Sequence, residues 1–374
     1  MAPCRLWRRS TKTSTRRKTT PSSTSASRRS TSRRPPHDIH PISTFIPMAE
    51  LQFREAIRAA MVEEMERDES IFLIGEEVAE YNGAYKVSEG MLDQFGAKRV
   101  IDTPISENGF AGLGIGAAMN GLRPIVEFMT FNFSFVAIDQ IINNAAKIRY
   151  MSGGQFSFPI VFRGPNGAAG QLAATHNTST EAIYAYFPGL KVVSPSNPDD
   201  AKGLLKAAIR DDDPVLFLES ELMYGMKGEV SDAEDYVIPI GQARIAREGD
   251  DVTIIAHSKS YWLALKAADM LAEDGYHAEV IDPRTIRPLD MDTILTSIKK
   301  TNRCVIIDES NPYGGIAAEM AFRIQDQAFD YLDAPVMRVT AKDVPAPYAK
   351  NLIEHYMPSA EAAYKAAKKV MYVN

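Results

Sequence analysis

From Met48 onward the chain alternates between two hydrophobic periods. Phe53-Arg-Glu-Ala-Ile-Arg-Ala-Ala-Met61 repeats at helical spacing, whereas Ile71-Phe-Leu-Ile74 is a short continuous apolar run of the kind that forms a buried strand. Similar runs recur at 124–128, 159–163, 191–194 and 215–219, and intervening segments such as 137–150 and 198–210 read as helices. Alternation of this kind predicts a mainly parallel sheet covered on both faces. The stretch 224–240, with Gly225, Gly228 and four acids, reads as a linker. Strands then follow at 252–257, 278–281, 303–308 and 336–340, with helices at 261–273, 291–301 and from Gly315. Two α/β domains are expected, at 48–230 and 231–374, without a short-period repeat.

Residues 1–47 break the pattern. Ser, Thr and Arg dominate them, and Leu6 and Trp7 are nearly their only large apolar residues before Ile39, so they are expected to be a disordered leader. An Arg-rich, Ser-rich, acid-poor segment has the composition of an organelle transit peptide. The alternative is an upstream stretch ahead of a natural start at Met48. The first 37 residues carry 11 Lys and Arg and no acid, which leaves the rest with 31 basic against 48 acidic residues. An acidic body repels phosphate backbones, so nucleic-acid binding is not expected. No apolar run approaches the ~20 residues needed to span a bilayer. The two cysteines, Cys4 and Cys304, form no disulfide framework, and Cys304 lies in a strand-like run. A reducing compartment fits: bacterial cytoplasm, or the mitochondrial matrix if the leader is a transit peptide.

The segment Arg99-Val-Ile-Asp-Thr-Pro-Ile-Ser-Glu-Asn-Gly-Phe-Ala-Gly-Leu-Gly-Ile-Gly carries the most chemistry. A strand should end near Ile105, with Ser106 as N-cap and Glu107 in the first helical turn. A carboxylate there is favoured by the helix dipole, whatever else it does. Gly109, Gly112, Gly114 and Gly116 would each weaken the helix by about 1 kcal/mol relative to alanine, unless close approach of another group requires them. Gly112–Ala117 also fits a G-x-G-x-x-A dinucleotide fingerprint, but about seven residues too late and without an acid about 20 residues on. A nicotinamide oxidoreductase is therefore the rival reading. Met129, Phe131, Phe133 and Phe135 alternate as a strand face or helix entry would. His176 sits in the small-residue loop Asn166-Gly-Ala-Ala-Gly-Gln-Leu-Ala-Ala-Thr-His-Asn177, whereas His257, His277 and His355 read as structural or surface residues. Asp211, Asp212 and Asp213 end a helix, where acids oppose the dipole, so solvation or a bound cation is expected.

From about Leu51 to the C-terminus the chain resembles the E1 β subunits of thiamine-diphosphate-dependent 2-oxoacid dehydrogenases. The resemblance is carried by Ile101-Asp-Thr-Pro-Ile-Ser-Glu-Asn-Gly-Phe-Ala-Gly112, Gly121-Leu-Arg-Pro-Ile-Val-Glu-Phe-Met-Thr-Phe-Asn-Phe133, Tyr150-Met-Ser-Gly-Gly154, Phe162-Arg-Gly-Pro-Asn-Gly-Ala168, Arg284-Thr-Ile-Arg-Pro-Leu-Asp290 and Pro345-Ala-Pro-Tyr-Ala-Lys350. Such a member has a transketolase-like pyrimidine-binding domain followed by a transketolase C-terminal-like domain, each a three-layer α/β unit. It implies that Glu107 pairs with N1′ of the thiamine aminopyrimidine, with Met129 and Phe133 lining that pocket. His176 becomes a proton donor or oxyanion stabiliser, although Thr175 and Asn177 depart from the glutamine and serine common beside it. Ile160, Ala208, Ile209, Asp211 and Asp213 correspond to a structural potassium site, the last being commonly asparagine.

Tyr81-Asn-Gly-Ala-Tyr85 and Arg163-Gly-Pro-Asn-Gly167 are similar to the pyruvate type, whose substrates are pyruvate and a lipoyl group of the dihydrolipoyl acetyltransferase. Branched-chain 2-oxoacid and acetoin dehydrogenase subunits are the nearer alternatives. Members hold the cofactor's diphosphate and Mg²⁺ on a Gly-Asp-Gly segment, which this chain lacks; Gly249-Asp-Asp251 reads as a turn. The resemblance therefore implies an α subunit that supplies this half, in an α₂β₂ tetramer.

Overall fold

The apolar runs become strands buried along most of their length. The computed structural model describes residues 48–374 apart from 169 and 234, so the expected leader at 1–47 lies outside the described residues. The strands in chain order are β1 (Met48–Gln52), β2 (Ile71–Glu76), β3 (Val100–Thr103), β4 (Arg123–Glu127), β5 (Val161–Pro165), β6 (Lys191–Val193) and β7 (Val215–Glu219). They continue as β8 (Lys227–Ser231), β9 (Arg244–Arg247), β10 (Val252–Ala256), β11 (Ala278–Asp282), β12 (Thr285–Arg287), β13 (Cys304–Ile307) and β14 (Met337–Val339). Every residue of β2, β5, β7, β10, β11 and β13 is buried. That is the pattern of a parallel sheet covered on both faces.

Two sheets result. One has seven strands in the order β12-β6-β7-β5-β4-β2-β3, parallel except for β12, and the other five in the order β14-β13-β10-β11-β9, parallel except for β9. β12 follows β11 in the chain but pairs antiparallel with β6, so the C-terminal half supplies the edge of the seven-stranded sheet. Aliphatic packing follows the same path. One buried cluster runs from Phe128 and Phe162 through Ile286 to Ile255, Ile281 and Ile306. Three helix starts are capped by a side chain: Asn197 accepts from the Asp200 amide at 3.0 Å, Asp290 from Thr293 at 3.1 Å and Ser359 from Ala362 at 3.1 Å.

Three sequence readings need correction. The expected linker 224–240 contains β8, which pairs antiparallel along its whole length with β1. Lys-Gly-Glu-Val-Ser has little strand character of its own, and its partner lies far away in the chain. The expected helix 137–150 is broken into a 3₁₀ turn at Phe131–Ala137, a π-helical turn at Gln140–Ala145 and a short α-helix at Ile148–Met151. The alternating Met129, Phe131, Phe133 and Phe135 therefore belong to the exit of β4 and the 3₁₀ turn rather than to a strand. Ser106 occupies the N-cap position of the helix Glu107–Met119, but its side chain makes no capping hydrogen bond.

The glycines of that helix divide by role. At Gly114 a Cβ would stand 2.7 Å from Cγ2 of Val126, so the helix seats directly on β4, whereas Gly116 has no neighbour within 4 Å. Gly114→Leu should therefore destabilise the chain by about 1–3 kcal/mol through overpacking. Urea denaturation would show the lowered midpoint, whereas Gly116→Ala, which enters open space, should raise stability by up to about 1 kcal/mol.

Candidate active site

The first turns after the strands of the seven-stranded sheet gather the charged groups, as expected at the carboxyl ends of a parallel sheet. Arg163 in β5 is 0% exposed. Its Nε and Nη2 each reach a carboxylate oxygen of Glu219 at 2.5 Å, and its Nη1 pairs with Glu127. Tyr224 donates to the same Glu219 at 2.7 Å. A single guanidinium thereby joins the ends of β4, β5 and β7 in a bidentate geometry that a lysine could not reproduce. Glu76, the last residue of β2, is buried beside Glu107; burial first, then the Glu107 carboxylate, pushes its pKa up to about 7.

Glu107 is the first residue of its helix and is buried. His176 lies on a loop between β5 and β6, its ring edge-on to Phe133 at 5.1 Å and 87°. Its Nδ1 lies 3.0 Å from the hydroxyl of Thr175, one of the two residues that depart from the family pattern. Asn132 ties the loop to the Phe133 turn by accepting from the Thr178 amide at 2.8 Å. Met129 and Phe133 are half-buried, as walls open to a ligand would be, while Phe131 is fully buried and Phe135 stacks on Tyr184. The arrangement offers a buried carboxylate, apolar and aromatic walls and an imidazole, which suits a flat nitrogen heterocycle. Grooves of about 490, 670, 790 and 770 Å³ lie elsewhere, none of them lined by these residues.

The five residues expected to hold potassium lie around the end of the helix Pro198–Arg210 and the approach to β5. The carbonyl oxygens of Ile160, Ala208, Ile209 and Asp211 already accept hydrogen bonds. Arg123 donates to Ile209 at 3.1 Å and to Asp211 at 2.9 Å, while the Asp211 amide serves Ala208 and the Val215 amide serves Ile160. Lys191 pairs with the carboxylates of Asp211 and Asp213. A cation there would use the second lone pairs of these carbonyls. Among the described residues no group of three or more His, Cys, Asp or Glu is placed to hold a metal ion.

Other expectations resolve simply. Gly112–Ala117 lies inside the helix Glu107–Met119 rather than in a turn after a strand, which removes the geometry a dinucleotide fingerprint needs. Gly249–Asp251 is the turn before β10, where Asp251 accepts from the His277 amide at 2.6 Å. Cys304 is buried and its thiol pKa is raised by burial. His257 is buried too, where burial lowers its imidazole pKa, whereas His277 and His355 are exposed. No described helix is long and apolar enough to cross a membrane.

The residues missed in the sequence were Glu76, Glu127, Arg163 and Glu219. Their signal was present: Ile71-Phe-Leu-Ile-Gly-Glu76, Ile125-Val-Glu127, Val161-Phe-Arg163 and Val215-Leu-Phe-Leu-Glu219 each run apolar into one charge.

Removing Arg163 as Arg163→Met should destabilise the chain by about 3–5 kcal/mol, because two buried carboxylates lose their counter-charge; thermal or urea unfolding measures this. Glu76 predicts a pH effect. Its folded pKa lies above the unfolded value of 4.5, so the folded chain binds the extra proton and loses stability as pH rises from about 4.5 to 7. Glu76→Gln should therefore gain Tm relative to the unsubstituted chain between pH 5 and 8. A difference that stays flat with pH would refute the raised carboxyl.

Comparison with known proteins follows the same lines. Residues 49–227 match the transketolase pyrimidine binding domain and residues 241–362 the transketolase C-terminal domain. The chain is 56% identical over 324 residues to the pyruvate dehydrogenase E1 component subunit beta of Rickettsia bellii, covering 87% of this chain and 99% of that one. It is 56% identical over 325 residues to the Rhizobium meliloti protein of the same name, covering 87% and 71%. The mitochondrial subunit beta of Bos taurus is 55% identical over 324 residues, covering 86% and 90%. A solved split-gene transketolase, described as an inactive beta4 tetramer, shares the fold with a TM-score of 0.69 at 22% identity, over 86% of this chain and 99% of that one. With a two-domain transketolase-like fold and relatives this similar over nearly its whole folded length, the chain belongs to the family of pyruvate dehydrogenase E1 component β subunits.

Proposed function

We propose that this chain supplies the aminopyrimidine half of a thiamine diphosphate site, completed by an α subunit, in oxidative decarboxylation of pyruvate. The observation that carries the reading is the placement of Glu107. A buried carboxylate opens a helix beside a second carboxyl, Glu76, that burial keeps protonated up to about pH 7. Such a pair can hold a proton against a ring nitrogen and give it up at little cost. When bound, the cofactor supplies a carbon nucleophile and the electron sink for decarboxylation. Glu107 would hydrogen-bond ring N1′, while Met129 and Phe133 flank the ring and exclude water. His176, steadied by Thr175 and by its perpendicular contact with the Phe133 ring, would donate a proton or stabilise the oxyanion of the substrate.

The half-site character has its own support. Ile105 is 84% exposed and Leu113 56%, two large apolar side chains flanking Glu107 that a partner surface would cover. No Gly-Asp-Gly segment is present to hold Mg²⁺ and the diphosphate, so these fall to the α subunit of an α₂β₂ tetramer. The lipoyl group of the dihydrolipoyl acetyltransferase is the acetyl acceptor. A structural potassium ion belongs to the same reading at Ile160, Ala208, Ile209, Asp211 and Asp213, through carbonyl lone pairs that the existing hydrogen bonds leave over. The domain boundary falls near residue 230, and a reducing cytoplasm suits Cys304 as a buried thiol.

In the reconstituted complex Glu107→Gln should slow turnover by roughly 10²-fold or more, the scale of general acid–base catalysis. Near-normal kcat at saturating thiamine diphosphate would remove Glu107 from this role. Isothermal titration of the isolated chain with Mg²⁺ and thiamine diphosphate should show no micromolar binding until the α subunit is added. Tight binding and pyruvate decarboxylation by this chain alone would overturn the divided site.

A further inference from the structure

The loop that carries His176 is gripped from its far side by a charged pair that no step above uses. Lys259 stands just before the helix Ser260–Glu273, beyond the end of β10. Its Nζ donates to the Ala168 carbonyl at 2.5 Å and forms an ion pair with Glu309. Glu309 lies two residues beyond β13 and is buried. Its carboxylate fills the space where a Cβ of Gly167 would sit, and Gly167 has φ +76°. A side chain at 167 is thus excluded twice, by the backbone and by Glu309. A second contact from the same side joins Gln171 Nε2 to the Tyr348 carbonyl at 3.4 Å.

The stem of the loop is closed from within. Asn166 Oδ1 accepts from the Thr180 amide at 2.9 Å and from its hydroxyl at 2.7 Å, and Asn166 Nδ2 donates to Glu181 at 2.8 Å. Nearer the tip, Ala173 has φ +64°, a conformation that costs a non-glycine residue on the order of 1–3 kcal/mol unless its surroundings impose it. Its carbonyl accepts from the Asn177 side chain and from the His176 amide. The loop is therefore strained at its tip, fastened at its stem, tied to the Phe133 turn through Asn132 and drawn to the second domain by Lys259.

We propose that Lys259 is a positioning residue for the reaction: held by Glu309, its ammonium fixes the entry of the 168–178 loop and thereby the imidazole of His176. It touches neither substrate nor cofactor. The proposal rests on His176 acting in the reaction, as inferred above.

In the reconstituted complex, Lys259→Met should lower kcat by about tenfold through misplacement of His176, with KM for pyruvate changed less than about twofold. Lys259→Arg, which keeps the charge, should recover most of that loss. Hydrogen exchange on the full chain gives a readout independent of turnover. Amides of 174–178 should exchange faster in Lys259→Met, while those of the helix Glu107–Met119 are unchanged. If Lys259→Met fails to fold because Glu309 is left unpaired, Lys259→Met/Glu309→Gln removes both charges and serves in its place. In a His176→Ala background the Lys259 substitution should add little further loss. Unchanged kcat and loop exchange in a folded variant would overturn the proposal, as would faster exchange spread evenly through the chain. Full activity of His176→Ala would instead overturn the role of His176, and loop exchange alone would then decide whether Lys259 holds the loop.

Discussion

The Arg163 guanidinium is the constraint on which the site depends. Of the three parallel strands it joins, β4 ends opposite Arg163 itself, and β5 and β7 end level with each other, Pro165 opposite Glu219. By binding Glu127 and Glu219 together, Arg163 fixes the spacing of those ends and hence the positions of the Phe128–Phe133 turn and the 166–181 loop that leave them. Desolvating three charges is expensive, and apolar residues of similar volume would often be as stable. What the triad supplies is orientation. Backbone ladders already hold the strands in register, and the bidentate arginine adds a fixed orientation between the side chains at their ends.

Around that anchor the site is layered. Glu76 and Glu107 lie on one flank, at the ends of elements that pack directly against β4, and His176 lies on the other, on a loop. The rigid flank holds a carboxylate whose neighbour titrates near neutrality. The loop flank carries the imidazole on strained backbone and relies on contacts from both domains. Division of labour of this kind is common where one group must remain fixed and another must approach a changing substrate.

Much of this was legible in the sequence, and the reasons for success and failure are physical. Buried parallel strands such as Val252–Ala256 and Cys304–Ile307 announce themselves because both faces demand apolar side chains. Glu107 was legible through its helix start and the glycines behind it, one of which, Gly114, seats the helix on β4. β8 was not, because its pairing with β1 is a backbone event between distant segments with little side-chain pattern. The 137–150 helix was overcalled for a related reason: helical periodicity does not distinguish α from π hydrogen bonding. Lys259 and Glu309 were invisible, since nothing local marks two charges that meet only when β10 and β13 pair side by side in one sheet.

β12 gives the molecule a temporal order. The strand beside β6 in the seven-stranded sheet comes from residues 285–287, after three strands of the other sheet have been made. A ribosome that has released everything through β7 has therefore released a sheet whose β6 margin, like β3 at the other side, is still unpaired. Exposed strand margins recruit other chains. The N-terminal half should accordingly be a poor candidate for separate expression, and the nascent chain is most vulnerable to self-association in the interval before Thr285 emerges.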